Sequence, residues 1–208
     1  VGESGSGKSV SALASLGLLP DNAEQGGGVV WKGAEIDRGD AVAMRQLRGN
    51  EIGMIFQEPM TSLNPLHTIE KQIGESLRQH QGMSVEAARA RTLDLLNRVG
   101  IPGAETRLAS YPHELSGGQR QRVMIAMALA NNPDMLIADE PTTALDVTIE
   151  AQILDLLANL KRAEGLSMLF ITHDLGVVRQ IADRVFVMRQ GELVESGDCL
   201  LYTSPSPR

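Results

Sequence analysis

The sequence has few aromatic residues, one cysteine and no long apolar run. Only 3 Phe, 2 Tyr and 1 Trp occur among the 208 residues, so the core must consist mainly of Leu, Ile, Val, Ala and Met. The single cysteine, Cys199, excludes an intrachain disulfide framework and is typical of proteins from reducing compartments. No stretch approaches the roughly 18 uninterrupted apolar residues that indicate a membrane-spanning helix. These features favour a globular protein with an aliphatic core.

The charge balance is acidic. The chain has 26 Asp and Glu against 19 Lys and Arg, which gives a formal net charge of −7. This surplus of negative charge argues against a protein that coats duplex nucleic acid, because such proteins neutralise phosphates with Lys and Arg. The apolar content of 42% and the charged content of 22% are those of an ordinary globular chain, long enough for one domain, alone or with a subdomain.

Segments with the apolar pattern of strands alternate along the sequence with segments that have the apolar spacing of helices. Short apolar runs in EIGMIFQEP, MLIADEP and SMLFITHD predict strands, GGGVVWKGAEI predicts a strand or hairpin, and RVFVMRQGELVES predicts two strands that turn at Gln190 and Gly191. Helices are predicted in SVSALASLGLLP, closed by Pro20, in SVEAARARTLDLLNRVG, capped by Ser84, in QRQRVMIAMALANNP and in TIEAQILDLLANLKRAEG. This alternation implies an α/β fold with a mostly parallel sheet, interrupted by a helix-rich segment over residues 68–130.

The first ten residues, VGESGSGKSV, match the phosphate-binding pattern G-x-x-x-x-G-K-[ST] through Gly2, Gly7, Lys8 and Ser9. The same letters also fit a Gly-rich turn that contains Lys-Ser by chance. Phosphate is favoured because glycines let backbone N–H groups approach an anion and a following helix presents its positive end. Lys8 would reach the β- and γ-phosphates, and Ser9 would ligate Mg²⁺. The predicted cradle comprises Gly2, Glu3, Ser4, Gly5, Ser6, Gly7, Lys8, Ser9 and Val10.

Two adjacent acids end the apolar run MLIADEP. In an open α/β sheet, ligands collect at the carboxyl ends of the strands, which is where Asp139 and Glu140 are expected to lie. Asp139 suits the shell of a magnesium ion, and Glu140 suits a general base that orients the attacking water. Alone, the pair is equally compatible with an acidic strand end in a solvated turn. A preceding phosphate loop favours the catalytic interpretation.

A second candidate anion site lies in LSGGQRQR, residues 115–122. Ser116, Gly117 and Gly118 immediately precede a predicted helix, whose N-terminus would attract an anion. A local loop with an N-cap explains the same residues. One domain rarely needs two sites for a γ-phosphate, so we expect this one to serve a nucleotide that another subunit holds.

The motifs together resemble the ATP-binding subunits of ABC transporters. GESGSGKS is similar to the Walker A motif, Gln57 in IFQEP to the Q-loop and LSGGQ to the ABC signature. MLIADE is similar to Walker B, residues 144–146 (ALD) to the D-loop, and His173 in ITHD to the switch histidine. The resemblance covers residues 1 to about 197, with six motifs in order.

The resemblance implies a P-loop NTPase, or RecA-like, core and further site residues. Gln57 would touch Mg²⁺ and the lytic water, His173 would contact the γ-phosphate, and Asp146 would act across a dimer interface. The implied catalytic residues are Lys8, Gln57, Glu140 and His173; the implied metal ligands are Ser9, Gln57 and Asp139; and the residues that close over a partner's ATP are Ser116, Gly117, Gly118 and Gln119. The implied domains are the first part of the core at 1–66, a helical subdomain at 67–118 that ends in the signature, and the second part of the core at 119–197.

Longer stretches resemble one branch of this family. MIFQEPMTSLNPLHT and ADEPTTALDVTIEAQIL are similar to the peptide/nickel importer branch, and RGNEIGMIFQEPMTSLNPLHTIEKQ to the double-ATPase subunits of microcin C-type peptide importers. The implied function is MgATP hydrolysis coupled to uptake of a peptide-like solute. The implied partners are a second ATP-binding subunit, a transmembrane permease at the cytoplasmic face of the inner membrane and, indirectly, an extracytoplasmic solute-binding protein.

Other functions stay open from the residues alone. A soluble ABC ATPase of the repair or translation type would share the six motifs without needing a permease. An ATPase for nickel or another small solute would share the importer-like stretches. A binding-only domain is disfavoured because Glu140 and His173 are both present.

Both ends of the sequence are unusual for this family. Val1 occupies the place of the last residue of the strand before the phosphate loop, and the upstream aromatic residue that stacks on adenine in the family has no counterpart. We therefore interpret the chain as a fragment that is not expected to hydrolyse ATP by itself. CLLYTSPSPR is also what a sequencing-library adapter would encode, so residues 198–208 are interpreted as adapter read-through, and Cys199 as uninformative.

Overall fold

A computed structural model describes residues 1–57, 62–143 and 145–198. In chain order the elements are α1 (Lys8–Ser15), β1 (Val30–Trp31), β2 (Ala34–Glu35), α2 (Ala41–Leu47), β3 (Ile52–Ile55), α3 (Ile69–Gln81), α4 (Val85–Arg98), α5 (Ala104–Arg107), a 3₁₀ turn (Pro112–Glu114), α6 (Gly117–Ala128), β4 (Met135–Asp139), α7 (Val147–Glu164), β5 (Ser167–Ile171), α8 (Leu175–Ile181), β6 (Arg184–Arg189) and β7 (Glu192–Asp198). Helices thus alternate with strands, which confirms the predicted α/β class. Two compact units divide the chain: Val1–Met44 with the segment from Phe170 onward, and Arg45–Leu169.

The second unit contains a parallel pair of buried strands. β3 and β4 pair in parallel from Ile52 opposite Met135 to Ile55 opposite Ala138, and β5 continues the sheet in the order β3-β4-β5. Since parallel strands carry their carboxyl ends to one edge, residues that follow β3 and β4 emerge side by side. This edge is where Gln57, Asp139 and Glu140 are predicted to act.

Helices α3, α4 and α6 form the largely aliphatic core of the second unit. Ile69, Ile73 and Leu77 recur every four residues on α3 and are fully buried. Leu95 and Leu96 of α4 are buried as well, as the low aromatic content predicts. The hydroxyl of Ser84 accepts a hydrogen bond from the Ala87 amide at 3.2 Å, which confirms the predicted N-cap of α4. Such a cap satisfies one of the four free amides at a helix start.

In the first unit, the antiparallel hairpin β6–β7 supports the start of the chain. Arg184 pairs with Asp198 and Arg189 with Glu192, and the turn falls at Gln190 and Gly191 as predicted. The Val1 nitrogen donates to the Phe186 carbonyl at 2.7 Å. The Met188 amide donates to the Val1 carbonyl at 2.8 Å. These two bonds form the pattern of a parallel bridge, so Val1 lies beside β6 as a strand residue.

Helix α1 is shorter than its sequence predicts. The expected end was Pro20, but the helix ends at Ser15. Gly17 has a φ of +59°, and the amides of Gly17 and Leu18 fold back onto the carbonyls of Ala14 and Leu13. A glycine in the left-handed region terminates helices in this manner, so Gly17 overrides the proline three residues later.

Two short helices are absent from the sequence-based prediction. Asp40 caps α2 by accepting hydrogen bonds from the Val42 and Ala43 amides at 2.8 and 3.1 Å. Asp174 caps α8 by accepting a hydrogen bond from the Gly176 amide at 2.6 Å. Both caps are visible in the sequence as an Asp before an apolar segment, although seven-residue helices give little periodicity. Among the described residues, no helix combines the length and apolar composition needed to cross a bilayer.

Candidate nucleotide site

The Gly-rich loop of the first unit wraps around the start of α1. Gly7 is the N-cap of α1 with φ +93° and ψ +5°, a conformation that a residue with a Cβ rarely adopts. The Ser6 amide donates to the Glu3 carbonyl at 3.2 Å, and the Gly191 amide donates to the Ser6 carbonyl at 3.0 Å. The loop is therefore held by a turn of its own and by the β6–β7 hairpin. Its course leaves the positive end of α1 at the loop, as a phosphate site requires.

Lys8 folds back into the loop from the first turn of α1. Its side chain is almost completely buried, with the residue 8% exposed. The ammonium donates to the carbonyls of Gly2 and Glu3 at 2.7 and 2.8 Å and to the Ser6 hydroxyl at 3.4 Å. The positive charge consequently lies at the centre of the loop. Ser9 follows in the same helical turn and is partly buried.

The two predicted acids follow β4 in different environments. Asp139 is the last residue of the strand and is 5% exposed, whereas Glu140 is partly buried and has a φ of +44°. Positive φ is uncommon outside glycine, and such strained residues cluster at functional sites. The backbone thus leaves the extended conformation of β4 at Glu140, and the two acids differ in burial.

Glu140 lies beside Gln57, which follows β3. The Gln57 Nε2 atom donates to Glu140 Oε2 at 3.1 Å. The hydroxyl of Thr143 donates to the same oxygen at 2.9 Å. The structure therefore brings Gln57 and Glu140 together at the carboxyl edge of the parallel strands. Thr143 does not appear among the sequence-based site residues; a hydroxyl three positions after the acid is the signal that points to it.

The signature residues begin helix α6. The Ser116 hydroxyl accepts from the Gln119 amide at 3.3 Å, and the Gln119 side chain accepts from the Ser116 amide at 3.0 Å, a reciprocal capping box. The local alternative considered from the sequence, an N-cap, is thus present. Ser116 is exposed and Gly117 and Gly118 are partly exposed, so this helix start is open to a partner. Binding of a partner's nucleotide stays a prediction.

The last two predicted site residues are exposed. Asp146 occupies the N-cap position of α7, but its side chain makes no capping hydrogen bond to that helix. His173 follows β5 in the first unit, between the buried Thr172 and the helix cap Asp174. Ala144, the first residue of the predicted D-loop, lies outside the described residues, as do residues 58–61 and 199–208.

The predicted magnesium ligands have suitable chemistry. Ser9, Gln57 and Asp139 supply hydroxyl, amide carbonyl and carboxylate oxygens, and Mg²⁺ prefers oxygen ligands. Within the described ranges no group of three or more His, Cys, Asp or Glu side chains is arranged to hold a metal ion. Magnesium in nucleotide sites is typically held by one or two carboxylates together with phosphates and waters, and the buried Asp139 fits that role.

Comparison with known proteins identifies relatives of this chain. The profile of the family described as ABC transporter matches residues 1–143. The chain is 64% identical over 208 residues to the peptidoglycan transport ATP-binding protein YejF of Agrobacterium fabrum, covering 99% of this chain and 38% of that protein. It is 57% identical over 204 residues to a putative peptide import ATP-binding protein of Brucella ovis, covering 95% of this chain and 60% of that protein. It therefore spans less than two thirds of either relative.

A solved structure agrees with these relatives. The dimeric post-hydrolysis state of the ATP-binding cassette MJ0796, bound to ADP and Pi, superposes with a TM-score of 0.81 at 33% identity, covering 95% of this chain and 83% of that one. This match confirms the predicted P-loop NTPase fold, and the relatives confirm the predicted branch resemblance. The chain belongs to the ABC transporter family.

Proposed function

We propose that this chain is the nucleotide-binding part of a protein that binds and hydrolyses MgATP and couples that reaction to the import of a peptide-like solute. The observation that carries the proposal is the pairing of Glu140 with Gln57 at the carboxyl edge of two parallel strands. That pair puts a candidate general base beside a residue predicted to sense the nucleotide. The solute class is supported by the relatives, which are described as peptidoglycan and peptide transport proteins.

The first unit would hold the phosphates. Lys8 already presents its ammonium inside the loop, and glycine-rich loops of this kind let backbone N–H groups approach an anion. The Ser9 hydroxyl, the Asp139 carboxylate and the Gln57 amide oxygen would hold the metal ion. When bound, magnesium supplies positive charge that offsets the charge of the phosphates.

Hydrolysis would depend on positioning and electrostatics more than on covalent chemistry. Glu140 would accept a proton from the attacking water, and Gln57 would orient that water. His173 and Lys8 would donate hydrogen bonds to the γ-phosphate as charge develops on it. The positive φ at Glu140 supports this role, because backbone conformations of this kind cluster at functional sites.

The test of the proposal is Glu140→Gln in a protein that carries this chain together with the strand expected before the phosphate loop, with Glu150→Gln as the matched control. Glu150 also accepts a threonine hydroxyl, from Thr142 at 2.8 Å, but it lies on α7 and has no predicted catalytic role. Glu140→Gln should retain ATP binding, lose at least about a hundredfold in turnover and accumulate an ATP-bound dimer. Glu150→Gln should hydrolyse ATP normally. Turnover near that of the unmodified protein from Glu140→Gln contradicts the assignment.

A head-to-tail dimer would complete each site. The exposed start of α6 and the exposed Asp146 belong to the same unit, and both would face the nucleotide held by the partner's phosphate loop. The family member MJ0796 is described as dimeric. The dimer would explain why one chain carries two anion-binding helix starts.

A permease would bind near the Q-loop and the signature. The predicted contacts are residues 60–64, of which 62–64 are described, and residues 111–114. Residues that follow the first segment and precede the second are linked, because the Ile69 amide donates to the Ser110 carbonyl at 3.0 Å. Leu66 is 81% exposed and Tyr111 is 39% exposed, which offers apolar contact area to a membrane subunit. This arrangement would place the chain at the cytoplasmic face of the inner membrane, with the extracytoplasmic solute-binding protein linked only through the permease.

A further inference from the structure

The carboxylate of Glu140 is bound by a hydroxyl from its own turn. Thr143 Oγ1 donates to Glu140 Oε2 at 2.9 Å, and Gln57 Nε2 donates to the same oxygen at 3.1 Å. All three residues belong to the second unit. Two donors therefore converge on one oxygen of the candidate base.

The backbone explains how Thr143 reaches the acid. Glu140 adopts a φ of +44°, and the Thr143 amide donates to the Glu140 carbonyl at 3.1 Å. This closes a four-residue turn that brings residue 143 back over residue 140. The side-chain bond then adds to the backbone bond, so the rotation of the carboxylate is restrained from within its own segment.

We infer that Thr143 is a positioning residue for Glu140, an assignment that rests on the proposed role of Glu140 as the base. A base is effective only when its oxygen lies within about 2.6–3.2 Å of the proton it accepts, so the direction of the carboxylate matters. Gln57 comes from a different strand and is predicted to contact the nucleotide. Thr143 is not predicted to contact the nucleotide, and its hydroxyl reaches the carboxylate from the same turn. A carboxylate can accept about four hydrogen bonds, so this bond orients the group without saturating it.

The neighbouring residue supplies a matched control. Thr142 donates its hydroxyl to Glu150 Oε1 at 2.8 Å, so it makes the same type of bond to a glutamate outside the site. Thr142 and Thr143 follow each other in sequence, and replacing either by Val removes only the hydroxyl while keeping the branched shape. A difference between the two variants therefore reports on Glu140 rather than on the turn in general.

The experiment measures the kcat and KM of ATP hydrolysis, and the affinity for a non-hydrolysable ATP analogue, in a protein that carries this chain together with the strand expected before the phosphate loop. The variants are Thr143→Val, Thr143→Ser, Thr142→Val, Glu140→Gln and the double variant Glu140→Gln/Thr143→Val. Thr143→Val should lower kcat about tenfold with unchanged nucleotide affinity and melting temperature. Thr143→Ser should restore kcat, since serine retains the donor, and Thr142→Val should match the unmodified protein.

The outcomes separate the role of Thr143 as a positioning residue from the role of Glu140 as the base. Equal rates for Thr143→Val and Thr142→Val, or equal losses for Thr143→Val and Thr143→Ser, overturn the positioning role while leaving Glu140 as the base. A lower rate for the double variant than for Glu140→Gln alone also overturns it, because Thr143 would then act on something other than Glu140. Normal turnover in Glu140→Gln instead overturns the proposed function itself.

Discussion

Gly117 and Gly118 of the signature differ in the space that is available for a side chain. A Cβ on Gly118 would lie 2.8 Å from Ile149 Cγ2, closer than real Cβ atoms approach a neighbour, whereas a Cβ on Gly117 would lie 3.9 Å from Leu145 Cδ2, an ordinary contact. Both glycines are in the first turn of α6, and Ile149 is in the first turn of α7. We therefore predict that Gly118→Ala destabilises the protein and that Gly117→Ala does not.

The expected change in the free energy of unfolding follows from comparing the two variants. Replacing a helical glycine by alanine stabilises a helix by about 0.5–1 kcal/mol, and this gain applies to both positions. Overpacking by one methyl group costs about 1–3 kcal/mol, and it applies only at Gly118. Ile149 cannot simply turn aside, because a β-branched residue in a helix has one strongly preferred χ1 rotamer. Gly118→Ala should thus unfold with a free energy about 1–3 kcal/mol below that of Gly117→Ala.

Thermal unfolding of the full chain, followed by circular dichroism, checks this prediction. For a chain of this size, about 1 kcal/mol corresponds to a shift of roughly 2–4 °C in Tm. Ile149→Leu should rescue Gly118→Ala, since leucine keeps the volume but has no methyl group on Cβ, whereas Ile149→Val keeps that methyl group and should not. The packing argument is wrong if Gly118→Ala and Gly117→Ala have the same Tm. It is also wrong if Ile149→Leu and Ile149→Val restore the Tm of Gly118→Ala equally.

Three further predictions concern the partner, the permease and pH. In a mixed dimer, Ser116→Arg in one subunit should lower hydrolysis about tenfold or more at the partner's phosphate loop, while the affinity of the monomer for ATP stays unchanged. A loss of hydrolysis confined to the variant's own phosphate loop contradicts the head-to-tail arrangement. A cysteine at Leu66 should crosslink to a cysteine in a cytoplasmic permease loop, with a yield that varies with ATP, whereas a cysteine at the exposed Asn97 on α4 should not. Equal crosslinking yields at the two positions refute the proposed permease-binding surface. Burial, and secondarily the charge of Arg45, lower the pKa of His80 from its usual 6.5. The contribution of His80 to stability is therefore present above about pH 6.5 and is lost as the pH falls through the lowered pKa. The Tm of His80→Gln should accordingly vary less with pH than the Tm of the unmodified protein.

Much of the fold was predictable because it is encoded locally. Helices α4 and α7 repeat apolar residues at helical spacing over 14 and 18 residues, and strand β4 is a continuous apolar run. The turn at Gln190 and Gly191 follows from Gly191, because glycine adopts positive φ without strain. Helix boundaries were harder, since Gly17 ends α1 before the proline that marks the end in the sequence.

Contacts between distant segments could not be predicted from the sequence. Arg122 lies within a predicted helix, yet it donates to the Val99 carbonyl at 2.5 Å and to Gln152 Oε1 at 3.2 Å, which links α6 to the end of α4 and to α7. The approach of Gly118 to Ile149 is of the same kind. Such partners are set by how the helices pack, and periodicity reports only which face of a helix is apolar.

The candidate site was predictable as a set of residue types but not as a set of bonds. The motif predicts that Lys8 is the cation for phosphate, and the structure adds that its ammonium donates to Gly2, Glu3 and Ser6. The bond to the Ser6 hydroxyl, at 3.4 Å, is the longest of the three and the easiest to exchange for a phosphate oxygen. The two bonds to backbone carbonyls, at 2.7 and 2.8 Å, would meanwhile keep the ammonium in place. An ammonium held in this way needs little reorganisation when the anion arrives, which is the condition under which a fixed charge stabilises a transition state most effectively.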